Sequence, residues 1–352
     1  MKILITGNMG YVGPGVVAHL RKTLPGAEIV GYDNGYFGHC FTTTEVFPEH
    51  RLDSQIYGDV RDINPSLLEG VDAIVHLAAI SNDPMGKAYE VVTADVNHAA
   101  GITLAKMARD AGVGSFVFAS SCSVYGFAEG EARDETSELN PLTAYARSKI
   151  GTEIDLAPLA TDEFRATALR FPTACGMSDR LRLDLVLNDF VASAVATGKI
   201  EVLSDGSPWR PLIDVKDMAR AIEWGVVRNV DCGGPFVSVN AGRTEWNYRV
   251  RDLAEAVQAQ MPGVEVSINT DAAPDKRSYR VDFARYAELA PNHLPQVDLA
   301  QSISELKSGL EAIGFADQDF RQSHLIRLNM LSRLRDSGRL DADLYWAGGE
   351  AR

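Results

Sequence analysis

The stretch Lys2-Ile3-Leu4-Ile5-Thr6-Gly7-Asn8-Met9-Gly10-Tyr11-Val12-Gly13-Pro14 reads as a strand, a glycine turn and the first turn of a helix. Residues 2–6 are a short apolar run of the kind buried on both faces of a parallel sheet. Glycines at 7, 10 and 13 allow a tight turn, close approach of backbone to a ligand, and close packing of helix on strand. Residues 16–20 continue the helix, and Pro14 falls where a missing N–H costs little. A helix N-terminus offers unpaired N–H groups and a positive dipole end to phosphate. Glycine spacing alone is weak evidence, but the strand before it and the helix after it make it specific. The turn therefore implies a dinucleotide held by Gly7, Asn8, Met9, Gly10, Tyr11, Val12 and Gly13.

Strand patterns recur at 28–32, 56–58, 73–77, 115–120 and 166–170, separated by helical patterns that include 145–156. That alternation predicts an α/β protein, a Rossmann-type doubly wound parallel sheet with helices on both faces. Asp33 ends the second strand, 20 residues beyond Gly13. A carboxylate there accepts hydrogen bonds from the adenosine ribose hydroxyls and repels a 2′-phosphate, which favours NAD over NADP. Asn34, rather than an arginine, points the same way.

Beyond residue 170 the alternation loosens. Helices are expected at 183–197, 217–227 and 246–260, a strand at 237–240 and a polar loop at 271–279. Residues 319–340, apolar at helical spacing and rich in arginine, read as a surface helix on the body, with a basic partner-binding arm as the alternative. The expected division is an NAD-binding domain over 1–175, with segments around 205–245 returning to it. Residues 176–352 are read as a smaller mixed α/β substrate-binding domain and C-terminal helices.

The 48 acidic and 34 basic side chains give a net charge of −14, which argues against a nucleic-acid surface. Cys40, Cys122, Cys175 and Cys232 form no CxxC pair, so no metal site is signalled and reduced thiols are expected. The sequence shows no secretory leader and no apolar run of the ~20 residues that span a bilayer. These features predict a cytoplasmic protein with no membrane partner.

Four further motifs follow the glycine turn in order. They are Gly58-Asp59-Val60-Arg61-Asp62, His76-Leu77-Ala78-Ala79, Ser120-Ser121-Cys122-Ser123-Val124-Tyr125-Gly126 and Tyr145-Ala146-Arg147-Ser148-Lys149. Together, over roughly residues 1–310, they resemble the extended short-chain dehydrogenase/reductase family. Within it the likeness is to the nucleotide-sugar epimerases and dehydratases, the group of UDP-glucose 4-epimerase-like enzymes. The resemblance implies that Asp59 and Val60 contact the adenine and that Leu77, Ala78 and Ala79 line the pyrophosphate and nicotinamide ribose. It places Asn97 in the helix behind the site, and adds Ser120 and Pro172 to the cofactor's surroundings.

The chemistry follows from residue types. An alcohol is oxidised only if its proton is removed as the hydride leaves, and a tyrosine with its ordinary pKa near 10 is a poor base at neutral pH. A lysine at i+4 lies on the same helix face, and its charge favours the phenolate. Tyr145 is thus the expected general acid/base, Lys149 its tuner and ribose ligand, and Ser121 the hydroxyl that bonds the reacting oxygen. Tyr125 is read as structural or substrate-contacting. The family's 4,6-dehydratases carry Asp-Glu where this chain has Cys122 and Ser123.

In the second half, Leu169-Arg170-Phe171-Pro172-Thr173 resembles the strand leading into the substrate domain, with Thr173 replacing the usual asparagine. Trp209-Arg210-Pro211-Leu212-Ile213-Asp214-Val215-Lys216-Asp217 resembles the family's R-x-(F/L)-(I/V)-x-V-x-D signature, whose arginine clamps the diphosphate. Arg210 is the first candidate for that role and Arg277 the second, with Lys276 and Arg280 as competitors. Ser81, Asn82, Ser121, Cys122, Ser123, Thr173 and Asn188 complete the expected substrate contacts; Asn82-Asp83-Pro84 reads equally as a specificity loop or an Asx turn. The leading expectation is an NAD-dependent nucleotide-sugar epimerase, with a homodimer implied by resemblance. A keto-sugar reductase or dehydrogenase is the alternative, ahead of a dehydratase or a non-catalytic scaffold.

Overall fold

The computed structural model describes residues 1–43, 46–128, 130–272 and 278–348. Its twelve strands in the described residues are β1 (Lys2–Thr6), β2 (Glu28–Asp33), β3 (Ser54–Tyr57), β4 (Ala73–His76), β5 (Ser115–Ser121), β6 (Arg165–Phe171), β7 (Thr173–Cys175), β8 (Lys199–Val202), β9 (Trp209–Asp214), β10 (Phe236–Asn240), β11 (Asn247–Arg249) and β12 (Glu265–Ile268). Seven form one sheet in the order β10-β6-β5-β4-β1-β2-β3, and every pairing in it is parallel. The order reverses beside β1, so the crevice at the carboxyl ends of β1 and β4 is where a doubly wound sheet binds its ligand.

The strands are apolar because both faces are covered. All four residues of β4 are buried, and the helix Val215–Val227 lies so close to β5 that a Cβ on Gly225 would sit 2.9 Å from Val117. The chain returns to the main sheet late, through that helix and β10. The smaller region holds a three-stranded mixed sheet, β11-β9-β7, and the parallel pair β12-β8. No helix among the described residues is long and apolar enough to cross a membrane.

Three expectations change. The helix expected over 246–260 begins at Val250. Asn247–Arg249 instead pairs antiparallel with β9, and the Arg249 N–H donates to Asp252 (2.9 Å) to start the helix. Similarly, 183–185 forms a bend before the helix, leaving Val186–Thr197. The segment 319–340 is a short turn at Phe320–Gln322, a helix at Arg327–Asp336 and, after Gly338 at positive φ, a chain that runs back toward β2 and β3. Residues 273–277, within the expected polar loop, lie outside the described residues.

Candidate active site

A cleft of about 660 Å³ opens along the carboxyl ends of β1, β2, β4, β5 and β6. At its floor the Gly7 N–H donates to the Tyr32 carbonyl (2.9 Å). Gly7 has φ +75°, and a Cβ there would stand 2.5 Å from the Ala78 nitrogen. A Cβ on Gly13 would stand 2.1 Å from the Asn8 carbonyl oxygen. The turn is therefore backbone against backbone. The helix behind it, Gly13–Thr23, carries no side-chain cap and no acid in its first turn. These features fit a pyrophosphate, which needs bare N–H groups and no competing carboxylate.

Asp33 receives the Met9 N–H on Oδ2 (2.9 Å) and the Gly35 N–H on Oδ1 (2.8 Å). Burial raises its pKa and the Gly35 and Met9 N–H groups oppose that rise. Two anchored oxygens with lone pairs to spare suit a ribose diol. Asp33→Ala is expected to weaken NAD about tenfold or more while leaving NADP less affected; equal losses in titrations of both would remove this basis for cofactor choice.

Of the expected cofactor residues, Gly7, Gly10, Tyr11, Val12, Asp33, Asn34, Val60, Leu77, Ala78, Ala79, Ser120, Tyr145, Lys149 and Pro172 line the cleft. Asn8, Met9, Gly13, Asp59 and Asn97 stand behind it. The Asp59 carboxylate is occupied by Arg61 through Nε and Nη2 (both 2.8 Å). Asn97 sits in a π-turn, Asp95–Ala99. Its Oδ1 accepts from Ile80 N–H (2.8 Å), and its Nδ2 donates to the Ile80 carbonyl (3.1 Å) and to Ser148 (3.0 Å), tying the loop after β4 to the helix Ala144–Leu156.

That helix carries the two residues expected to act on the substrate alcohol, Tyr145 and Lys149. Thr143 caps it by accepting from Ala146 N–H (3.1 Å) and itself donates to Asp83 (2.7 Å). Tyr145 and Ser121 both line the cleft; burial pushes the Tyr145 pKa up to about 12, opposed by the polar Ser121 hydroxyl and by the charge of Arg182. One turn on, Lys149 is 3% exposed. Its Nζ donates to the Ala119 carbonyl (2.7 Å) and lies 5.5 Å from the Tyr145 ring centre. Burial pushes Lys149 down to about 7, while Glu153 raises it. Glu153 anchors a buried network: it accepts from Ser120, from Ser238 (2.8 Å) and from Arg170 (2.6 Å). Arg170 Nη1 donates to Tyr125 (3.0 Å), which donates to Asn240 (2.7 Å), so Tyr125 is structural.

On the substrate side, Ser81, Asn82, Ser121, Ser123, Thr173 and Arg210 line the cleft. The Ser123 hydroxyl is buried with no protein partner. Cys122 and Asn188 are turned away. The Cys122 thiol donates to the Arg170 carbonyl (3.1 Å) in a small separate core. Asn188 is fully buried, accepting from Gly176 N–H (3.1 Å) and donating to Tyr11 (3.0 Å) and the Arg182 carbonyl (3.0 Å). Arg277 and Lys276 lie outside the described residues, and Arg280 donates to the Gly130 carbonyl (2.6 Å).

The wall also holds residues that no motif announced: Arg182, Asp184, Tyr279, Arg321 and Arg327. Arg182 grips Asp184 through Nε (2.7 Å) and Nη2 (2.9 Å) and donates to Ser81 (3.1 Å); Asn82 donates to the same Asp184 (2.6 Å). The loop after β4 is thereby braced across the cleft from Tyr145. The arginine density of 180–182 was the only sequence signal for it.

The profile of the family described as NAD dependent epimerase/dehydratase matches residues 3–242, about two thirds of the chain. The chain belongs to that family. It is an NAD-dependent enzyme of the extended short-chain dehydrogenase/reductase kind. It is 28% identical over 240 residues to a UDP-glucose 4-epimerase of Lactobacillus helveticus, covering 63% of this chain and 70% of that one. It is 26% identical over 323 residues to a dTDP-glucose 4,6-dehydratase of an Actinoplanes species, covering 87% and 96%. Its fold matches that of the UDP-glucose-4-epimerase from Stenotrophomonas maltophila with bound NAD and formylated UDP-arabinopyranose. The TM-score is 0.74 at 22% identity, over 89% of this chain and 99% of the other.

Proposed function

We infer that this family member is a nucleotide-sugar epimerase that works through a transient 4-keto sugar. The observation that carries the reading is the convergence of Ser121, Tyr145 and Lys149 on one cleft, with no carboxylate at position 122 or 123. Bound NAD supplies the acceptor and donor of hydride. The chain does the rest. Ser121 positions the substrate 4-hydroxyl, and Tyr145 holds or releases its proton as that carbon is oxidised and reduced again. Lys149 places positive charge beneath the site, which favours the tyrosinate. Arg210 serves the diphosphate, and Ser81, Asn82, Ser123 and Thr173 face the sugar. A dehydratase needs an acid to protonate the leaving hydroxyl and a base at C5. Cys122, with its thiol spent on Arg170 and its pKa pushed up by burial, serves neither role.

The test uses purified protein without added cofactor. Denaturation is expected to release NAD, and the intact protein to interconvert two nucleotide sugars that differ at C4. Turnover only when NADH or NADPH is supplied with a keto sugar would replace the epimerase with a reductase. The same preparation is expected to run as a homodimer in light scattering. Val91 (71% exposed) and Ile154 (64% exposed), on neighbouring helices beside the His98–Asp155 pair (2.7 Å), offer an apolar face to a second copy. A mass near the 38.2 kDa of one chain would refute that.

A further inference from the structure

The chain after Gly338 lies outside the family match, yet it is built into the edge of the dinucleotide cleft. It folds on itself through a bridge between Leu340 and Trp346 and through Asp341, whose Oδ1 accepts from Asp343 N–H (2.9 Å) and Tyr345 N–H (2.8 Å). Leu344 is fully buried and has φ +60°, the one non-glycine residue at positive φ among the described residues. Such backbone persists only where its surroundings over-determine it.

Those surroundings are the loops after β2 and β3. Trp346 Nε1 donates to the Asn34 carbonyl (2.7 Å), and the Tyr36 hydroxyl donates to the Leu344 carbonyl. The Tyr36 and Trp346 rings lie 5.9 Å apart. From the other loop, Arg61 Nη1 donates to the Asp343 carbonyl (2.7 Å), and its guanidinium stands 3.5 Å over the Tyr345 ring centre. The same Arg61 holds Asp59, next to Val60. Asn34, Tyr36 and Val60 line the cleft beside Asp33. The two loops start side by side, where Gly58 N–H donates to the Asp33 carbonyl (3.0 Å) and the Tyr32 hydroxyl donates to the Asp59 carbonyl (2.9 Å); the segment ties them together a second time, further out, at the end of the cleft where Asp33 would meet the adenosine ribose.

We propose that residues 340–347 are a strap of the dinucleotide site, which pins the loops after β2 and β3 around the adenosine end and sets how slowly NAD leaves. A cofactor that is reduced and reoxidised within one turnover must stay bound through it, and pre-ordered loops slow its escape by removing the opening motion that release requires.

Two variants test the strap: a chain ending at Gly338, and Trp346→Ala, which removes the bond to the Asn34 carbonyl and the contact with the Tyr36 ring but leaves the backbone of the segment in place. Both are expected to release NAD at least tenfold faster in stopped-flow displacement by ADP-ribose. AMP, which carries the adenosine end alone, is expected to bind about tenfold more weakly, with nicotinamide mononucleotide binding unchanged. Unaltered NAD release in both variants overturns the proposal. So does an equal loss of AMP and nicotinamide mononucleotide, which would report a general collapse of the cleft. No sugar nucleotide enters these measurements, so their outcome is independent of the reaction inferred above.

Discussion

Tyr145→Phe is expected to lower kcat by about 10²–10⁴-fold, the contribution of a positioned general acid/base, while NAD remains bound. The substitution removes one oxygen and leaves the ring. That ring is held by its backbone, which packs so tightly on the short helix Asp83–Ala88 that a Cβ on Gly86 would approach the Tyr145 nitrogen to 3.2 Å. The cap from Thr143 and the brace from Asn97 through Ser148 are also untouched. The loss therefore belongs to proton transfer rather than to architecture. Ser121 keeps its place at the end of β5, where its Oγ accepts from Ser123 N–H (3.1 Å). Steady-state rates with a matched epimer pair, and a count of NAD per chain, check the prediction. Activity within tenfold of the parent would remove Tyr145 from the role.

Lys149→Met is expected to lower kcat by about 10²-fold or more and at the same time to stabilise the cofactor-free protein. Both effects have one cause. Lys149 carries its charge in a buried place, and burial holds its folded pKa at about 7, below the ordinary 10.5. Between those two values the unfolded chain binds a proton that the folded chain does not, so stability rises with pH across that window. Below pH 7 the folded protein bears the whole cost of burying the ammonium. The methionine variant, which fills similar space without charge, should therefore melt roughly 2–4 °C higher at pH 6.5, and the advantage should fade as pH approaches 10. Thermal scans at pH 6.5 and 9.5 read this directly. An advantage that does not shrink at the higher pH would show that the charge of Lys149 is not what the site holds at a cost. The catalytic loss follows because the phenolate of Tyr145 then forms without a neighbouring cation.

The residues legible in the sequence were those whose function is set within one turn or one helical step. Gly7, Gly10 and Gly13 declare a turn that tolerates no side chain, because a Cβ on Gly7 would meet the Ala78 backbone. Asp33 declares itself by ending a strand, and Lys149 by standing one turn after Tyr145. Short-range geometry is written in spacing, and apolar runs such as those of β1 and β4 reveal strands buried on both faces. From these, the sheet, its ligand edge and the helix that bears Tyr145 and Lys149 follow.

Only the tertiary structure decided which way the remaining side chains face. Cys122 and Asn188 sit in the right motifs, yet packing turns one toward the Arg170 carbonyl and the other toward Tyr11 and Gly176. Arg182, Arg321 and Arg327 reach the cleft wall from a loop and a C-terminal segment that no periodicity connects to it. Residues 247–249 became a strand because β9 offered unpaired backbone, which outweighs the helical pattern of a three-residue stretch. The strap at 340–347 is the extreme case. Its contacts with Asn34, Tyr36 and Arg61 span about three hundred positions of chain. Such contacts depend on the summed packing of everything between them, and no local pattern of residues records that sum.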